Sequence, residues 1–268
     1  KIIVVLFQII GYLLILLKSD FNLTGIVIIY FFSSLVNYFF SKFIFSRKNI
    51  NYIDTNNYPF TFGDIKSFFK PVNKIFVLNI SSFLVLSSNY YIIPIVSDIN
   101  LLPYYGALMK ACMVILTLNG TLTSLFYPFI SQAFFNKNDI NFRKLYFQNI
   151  KLVLFLTIFL GFAAFLIIPK IYPFWLEPST YIGNTNLLLI LLIISVYSIT
   201  VVFSSILIAM NSKKFVLEGI LQAVFSIILG YILGHNFGIN GILFGNLIGI
   251  TLPAISIIYK SMKTLRLV

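Results

Sequence analysis

Long apolar runs separated by short polar connections dominate the pattern of the chain. Most runs approach the roughly 20 residues that an α-helix needs to cross the hydrocarbon core of a bilayer, so the pattern predicts about eight membrane-spanning helices. The predicted spans, named A to H, cover residues 2–17, 24–45, 75–96, 103–127, 151–169, 186–209, 215–234 and 239–259. The sequence therefore predicts an all-α fold, a polytopic transmembrane helical bundle.

The composition agrees with this pattern. The chain of 268 residues is 59% hydrophobic and only 10% charged, whereas an average soluble domain is about 25% charged. Cys112 is the single cysteine and His235 the single histidine. An internal disulfide and a multi-histidine metal site are thereby excluded, and we expect no metal and no other cofactor.

The formal net charge of +12 could indicate a protein that binds nucleic acid. The positions of the charged residues along the chain decide whether it does. Lys18 and Lys170 are predicted on one side of the membrane and Lys110 lies within span D. The other basic residues fall in the alternate connections, after span H, or at the first residue. This is the positive-inside rule repeated along the chain. We therefore expect no nucleic-acid partner, a multi-pass protein of the inner (cytoplasmic) membrane, and cytoplasmic positions for both ends of this chain.

Two stretches of the chain resemble each other, Gly11–Lys42 and Gly230–Lys260. Both are a helix end, a short outer loop and a further span, and both cross in the same direction, as in transporters with parallel repeats. Chance similarity between apolar stretches is the alternative. A genuine repeat predicts a two-lobed transporter of about twelve helices, four of them before this chain, if each lobe has about six helices like C to H. The predicted segments are 1–46, the end of one lobe; 47–74, a cytoplasmic linker; and 75–268, a six-helix lobe.

Polar residues inside spans C and D recur at helical spacing, so that each set lies on one face of its helix. Two adjacent polar stripes indicate a water-accessible cavity, although small hydroxyl residues are also common at packed membrane helices. The candidate substrate-binding residues are Ser88, Asn89, Lys110, Thr117, Thr121 and Ser124.

Lys110 carries the functional hypothesis, because a charged side chain inside a membrane is costly and usually functional. The alternatives are snorkelling to the outer surface and a structural ion pair. The nearest acidic candidates are Asp98, at the outer end of span C, and Glu218, one turn into span G. Neither lies deep in a span, so we expect a mobile anion such as a phosphate ester as the partner of Lys110.

The stretch NYYIIPIVSDINLLPYYGALMKACMVILTLNGTLTSLFYPFISQAF, 89–134, resembles helices seven and eight of the polysaccharide-type flippases in the multidrug, oligosaccharidyl-lipid and polysaccharide exporter superfamily. Residues that carry the resemblance are Asn89, Tyr104, Tyr105, Lys110, Pro128 and Ser131. The stretch 210–252 resembles the last two helices of that family, with Gly238 and Gly241 in a glycine-rich outer turn. The resemblance would make spans A and B helices five and six.

The resemblance implies a flippase for surface polysaccharide of the O-antigen type, and no enzyme. Its substrate would be an undecaprenyl-diphosphate-linked oligosaccharide, carried across the inner membrane by alternating access between two conformations. Its other partners would be membrane lipids and other polysaccharide-assembly membrane proteins. Asn89 stands where the family commonly has an acidic residue, so coupling to an ion or proton gradient stays open.

Three other functions compete with the flippase. A multidrug cation extruder of the same fold needs a membrane carboxylate, and this chain has Lys110 instead. A peptidoglycan-precursor flippase is expected to show several arginines in its cavity. A membrane-embedded polysaccharide polymerase or glycosyltransferase is expected to show a large charged outer loop, whereas the outer loops predicted here are short.

Overall fold

The computed structural model describes residues 35, 62–176, 181–210 and 215–267. The chain divides into two compact units, Lys1–Ile65 and Lys66–Val268, and the fold is described here for the second unit. Predicted spans A and B, most of the segment 1–46 and the first copy of the repeat lie outside the described residues.

The regular elements of the described residues are all helical. They are α1 (Phe62–Ser87), α2 (Asn89–Val96), a short 3-10 helix (Ile99–Leu101), α3 (Leu102–Phe135), α4 (Asp139–Trp175), α5 (Asn184–Ala209) and α6 (Val216–Leu267). Within the described part of the chain, five segments are long and apolar enough to cross a membrane: Phe76–Val96, Ile99–Phe135, Asp139–Phe174, Asn184–Ala209 and Val216–Lys263. The predicted all-α, polytopic fold is confirmed.

Helix α6 consists of two helical arms, 216–237 and 239–267, that meet at Gly238. Gly238 has φ 59° and ψ −142°, a backbone conformation that residues with a Cβ rarely adopt. The arms fold back on each other, since Gly241 lies against the backbone of Leu233 and Gly245 against that of Leu229. They correspond to the predicted spans G and H.

Helix boundaries differ from the sequence prediction at two places. Helix α1 begins at Phe62, inside the segment 47–74 that was expected to be a linker, and α4 begins at Asp139, well before residue 151. In both places the polar stretch before the span is helical and continues directly into it. The Asn138 side chain caps α4 by accepting a hydrogen bond from the Asn141 backbone N–H at 3.2 Å.

Predicted span C is interrupted between α1 and α2, at Ser88. Pro94 lies inside α2 and has no backbone N–H, so it cannot donate to the carbonyl four residues earlier. That carbonyl belongs to Tyr90, just past the interruption. The break therefore places Ser88 and Asn89 at a local irregularity of a membrane helix, where the backbone regularity is already weakened.

Helix α5 lies at the centre of the unit and packs against α3, α4 and α6. Two apolar clusters surround it. One includes Ile93, Leu108, Cys112 and Ile194, and the other includes Phe142, Tyr146, Phe203 and Ile257. Large apolar side chains of α4 are exposed on the outside of the unit, among them Phe155, Ile158 and Phe162, as expected for a multi-pass membrane protein whose surface contacts lipid.

The expected orientation can be tested at two exposed lysines of the described unit, Lys137 between α3 and α4 and Lys170 near the end of α4. In variants of the intact protein with one accessible lysine, we expect an impermeant amine reagent to modify Lys137 only from the cytoplasmic side and Lys170 only from the outer side. The positive-inside bias is the physical reason. Modification of Lys170 from the cytoplasmic side would contradict the expected orientation.

Candidate functional site

Four of the candidate residues form one exposed face of α3. Lys110, Thr117, Thr121 and Ser124 are all exposed on the surface of the second unit. The three hydroxyls donate within their own helix: Thr117 to the Met113 carbonyl at 3.0 Å, Thr121 to the Thr117 carbonyl at 2.9 Å and Ser124 to the Thr121 carbonyl at 2.7 Å. We name this set the α3 polar face. Its hydroxyl oxygens keep their acceptor capacity, while their protons are already used.

Lys110 supplies the positive charge of this face. Among the ion pairs of the described residues, the one between Lys260 and Glu218 is elsewhere in the unit and none involves Lys110. Lys110 lies eight residues after Leu102, the first residue of α3, which is about 12 Å along the helix axis. A lysine side chain at that depth can reach towards the outer surface or towards an anion beside the face.

The other two candidates, Ser88 and Asn89, lie in the interior of the unit, with 4% and 2% of their surface exposed. The structure therefore does not bring them together with the α3 polar face. Asn89 instead donates from Nδ2 to the Tyr105 hydroxyl at 3.0 Å. Its Oδ1 accepts from Nδ2 of Asn246 at 3.1 Å. Tyr105 and Lys110 are five positions apart in α3, which turns them to different sides of the helix.

The Asn89, Tyr105 and Asn246 side chains form a buried polar network that joins α2, α3 and the 239–267 arm of α6. The Ser88 hydroxyl, the Ser226 hydroxyl and Oδ1 of Asn246 are also buried and have no hydrogen-bond partner in the described protein. Buried polar atoms are usually hydrogen-bonded. This interior therefore contains more buried polar atoms than its own hydrogen bonds satisfy. Sequence analysis missed Asn246 and the role of Tyr105, because their partners are distant in the chain.

A second polar cluster joins the two arms of α6. Glu218 is 5% exposed and its Oε1 accepts hydrogen bonds from Nζ of Lys260 and, at 3.1 Å, from Oγ of Ser256. The sequence had placed Glu218 one turn inside span G, and the structure adds that this carboxylate has a basic partner. Its other oxygen, Oε2, is buried without a hydrogen-bond partner. The pair joins the start of the 216–237 arm to the later part of the 239–267 arm.

A cavity of about 190 Å³ lies between α1, α5 and α6. Its polar lining includes Asn79, Ser82, Tyr197, Ser204 and Gln222, and it has room for several water molecules. Within the described ranges, no group of three or more His, Cys, Asp or Glu residues could hold a metal ion.

Comparison with solved structures finds proteins of similar fold. A MATE protein in a straight conformation superposes with a TM-score of 0.73 at 14% identity, over 97% of this chain and 60% of that chain. A multidrug resistance MATE family transporter of the MOP superfamily, in an inward-facing conformation, superposes with a TM-score of 0.69 at 15% identity, over 97% of this chain and 62% of the other. A structure with the same description but in an outward-facing conformation superposes with a TM-score of 0.71 at 14% identity, over 97% of this chain and 60% of that chain.

The fold is therefore similar to that of these MATE structures, which agrees with the fold that the expected superfamily implies. The chain spans about 60% of the length of these solved structures. No family model matches the sequence, and no curated protein matches it either. The polysaccharide specificity stays a prediction.

Proposed function

We propose that this chain belongs to a membrane transporter that exports an amphipathic substrate by alternating access. The observation that supports the proposal is the fold, since the similar structures include an inward-facing and an outward-facing conformation of one kind of transporter. A transporter of this kind breaks no bond in its substrate. It works by binding the substrate differently in two conformations, and coupling to an ion or proton gradient would supply the direction.

Two substrate classes follow from different observations. The structural comparisons favour a drug extruder, because two of the similar structures are described as a multidrug resistance transporter. The α3 polar face favours the flippase, because its charge is the cation of Lys110, which suits a diphosphate-linked oligosaccharide better than a cationic drug. Glu218, the buried carboxylate that a cationic drug would need, is already paired with Lys260.

The two classes are distinguished by deleting the gene of the intact protein and measuring both activities. A drug extruder predicts greater sensitivity to several unrelated cationic drugs and unchanged surface polysaccharide. A flippase predicts loss of surface polysaccharide with completed lipid-linked oligosaccharide on the cytoplasmic leaflet, detected with a glycan label that cannot cross the membrane. If deletion changed neither drug sensitivity nor surface polysaccharide, that result would contradict the transporter proposal for both substrate classes. Single oligosaccharide units on the outer leaflet would indicate a polymerase.

Substitution of Lys110 tests the flippase class further. We expect Lys110→Ala to reduce glycan export at least about tenfold, since an ammonium–phosphate hydrogen bond in a sheltered site contributes about 1.5–3 kcal/mol, and Lys110→Arg to retain most of it. The measurement is the rate of oligosaccharide translocation by the intact transporter in vesicles. Lys170→Ala, which removes an exposed lysine of α4, is the matched control. Equal rates for Lys110→Ala and the native protein would assign Lys110 to snorkelling.

A further inference from the structure

The last turns of α3 and the first turns of α4 enclose a surface groove of about 520 Å³. We name it the α3–α4 groove. It runs from Phe129 on α3 to Gln148 on α4, and it is separate from both the α3 polar face and the buried networks. One part of its lining is apolar, formed by Phe129, Ala133 and Leu145. Phe129 is 57% exposed, so the structure leaves an aromatic side chain open beside a polar surface.

The other part of the groove is polar and carries a positive charge. It is formed by the amide side chains of Gln132, Asn136, Asn141 and Gln148 and by the ammonium of Lys144. All five are exposed, and no acidic residue lines the groove. Amides and an ammonium together offer several hydrogen-bond donors around a single charge, which suits a phosphate with neighbouring hydroxyl groups.

The groove lies at a membrane surface because it is formed where one apolar helix ends and the next begins. The α3 helix has 34 residues, about 51 Å at 1.5 Å per residue, while the hydrocarbon core is about 30 Å thick. The helix is therefore longer than the core, and the polar residues Asn136, Lys137 and Asn138 that follow it place its last turns at the membrane surface. On α4, Lys144 precedes the apolar run that starts at Leu152 by eight residues, about 12 Å along the axis. The groove thus lies near the lipid headgroups, with Phe129 and Gln148 as the lining residues nearest the hydrocarbon core and Asn136 and Asn141 farthest from it.

The surroundings of the groove favour an anion. The segment 136–151 contains Lys137, Arg143, Lys144 and Lys151, and a single acidic residue, Asp139. Basic segments next to membrane spans attract anionic lipids of the adjacent leaflet. A free phosphate would match Lys144 and the amides but would leave Phe129 and Leu145 uncovered, whereas a phospholipid matches both parts of the lining.

We propose that the α3–α4 groove binds an anionic phospholipid whose headgroup carries a phosphate and hydroxyl groups, such as phosphatidylglycerol. Lys144 and the amides hold the headgroup, and Phe129 and Leu145 contact the start of an acyl chain. This lipid is a bound partner of the protein and is distinct from the transported substrate. It ties the connection between α3 and α4 to the membrane surface.

The proposal is tested by titrating phosphatidylglycerol, with phosphatidylcholine as the reference lipid, onto the intact transporter in detergent and measuring bound lipid by native mass spectrometry. We expect Lys144→Gln to weaken binding of phosphatidylglycerol about tenfold, as is typical for loss of a charge-assisted hydrogen bond. Lys144→Arg should retain binding. Arg143→Gln is the matched control, since it removes an exposed charge at the next residue outside the groove, and we expect a change of no more than about twofold.

Each outcome decides the proposal. A selective loss with Lys144→Gln, together with preference for phosphatidylglycerol over phosphatidylcholine, supports the site. If Lys144→Gln and Arg143→Gln weakened phosphatidylglycerol binding equally, the lipid would be attracted by basic charge in general, and the proposed site would be overturned. Binding that is unchanged in both variants, or equal for both lipids, would also overturn it. If inorganic phosphate displaced the lipid completely at concentrations similar to those of the lipid, the groove would be a site for a free anion instead.

Discussion

Gly245→Ala is expected to destabilise the unit by about 3 kcal/mol, the upper part of the usual range for overpacking, although it adds only one methyl group. A Cβ at Gly245 would lie 2.5 Å from the carbonyl carbon of Leu229 and 2.7 Å from the backbone nitrogen of Gly230. These are backbone atoms of the facing arm of α6, so no side-chain rotation can relieve the contact. The two arms would have to move apart.

The same close approach repeats along the hairpin. A Cβ at Gly241 would lie 2.6 Å from the carbonyl carbon of Leu233, and one at Gly249 would lie 2.6 Å from the carbonyl carbon of Phe225. Glycines at every fourth position let two membrane helices approach through their backbones, which is how such helices associate without a hydrophobic driving force. Separation at Gly245 would therefore weaken contacts at Gly241 and Gly249 as well.

The measurement is the thermal stability of the intact transporter in detergent, followed by size-exclusion chromatography after heating. Gly161→Ala is the matched control, because Gly161 lies within α4 and a Cβ there would have no other heavy atom within 4 Å. We expect its stability to be unchanged or raised by up to about 1 kcal/mol, since alanine favours the helix. A Gly245→Ala protein as stable as Gly161→Ala would contradict the packing of the two arms described here.

Lys260→Met should be the second most damaging change, with a loss of about 2–3 kcal/mol. Removing one partner of a buried ion pair typically costs about 3–5 kcal/mol because the remaining charge is left buried. The lower figure applies because the Lys260 side chain is 34% exposed and that of Glu218 only 7%. Methionine keeps the length of the side chain but removes the ammonium, while the Ser256 hydroxyl continues to donate to the Glu218 carboxylate.

A double-mutant cycle of Lys260→Met, Glu218→Gln and the double variant separates the lost pair from other effects of the substitutions. In Glu218→Gln/Lys260→Met the buried group is neutral and can still accept from Ser256, so we expect most of the lost stability to return. Lys263→Met, which removes an exposed lysine from the same helix, should change stability by less than about 0.5 kcal/mol. If the double variant were less stable than Lys260→Met, the pairing of Lys260 with Glu218 would not be a stabilising contact.

The candidate site shows which features helical periodicity in the sequence can predict and which it cannot. Lys110, Thr117, Thr121 and Ser124 were predicted to share one face of a helix, and they do, because their spacing depends only on the regular geometry of a single helix. The prediction that Asn89 belongs with them in one cavity has no support from the geometry of the unit, since Asn89 is turned into the interior. The face that a residue presents to a neighbouring helix depends on how the helices are rotated against one another.

The sequence patterns did not predict contacts between residues that are far apart in the chain. Asn246 joins Asn89 across the interior, and Lys260 joins Glu218 between the two arms of α6. Asn89 and Glu218 stand out as polar residues in their own segments, but neither segment indicates the partner, Asn246 or Lys260. Local patterns carry no information on which pairs become neighbours, because that is decided by packing of the complete set of helices.

The sequence by itself determined the all-α membrane fold, the approximate position of spans C to H and the expected orientation, because the bilayer imposes on each segment a length, a hydropathy and a charge bias. The tertiary structure alone decided the break at Ser88, the glycine-packed hairpin of α6, the burial of Asn89 and the groove between α3 and α4. The physical reason is that span formation is a transfer of one segment between water and lipid, whereas sites and close contacts depend on the shapes that several helices present to each other.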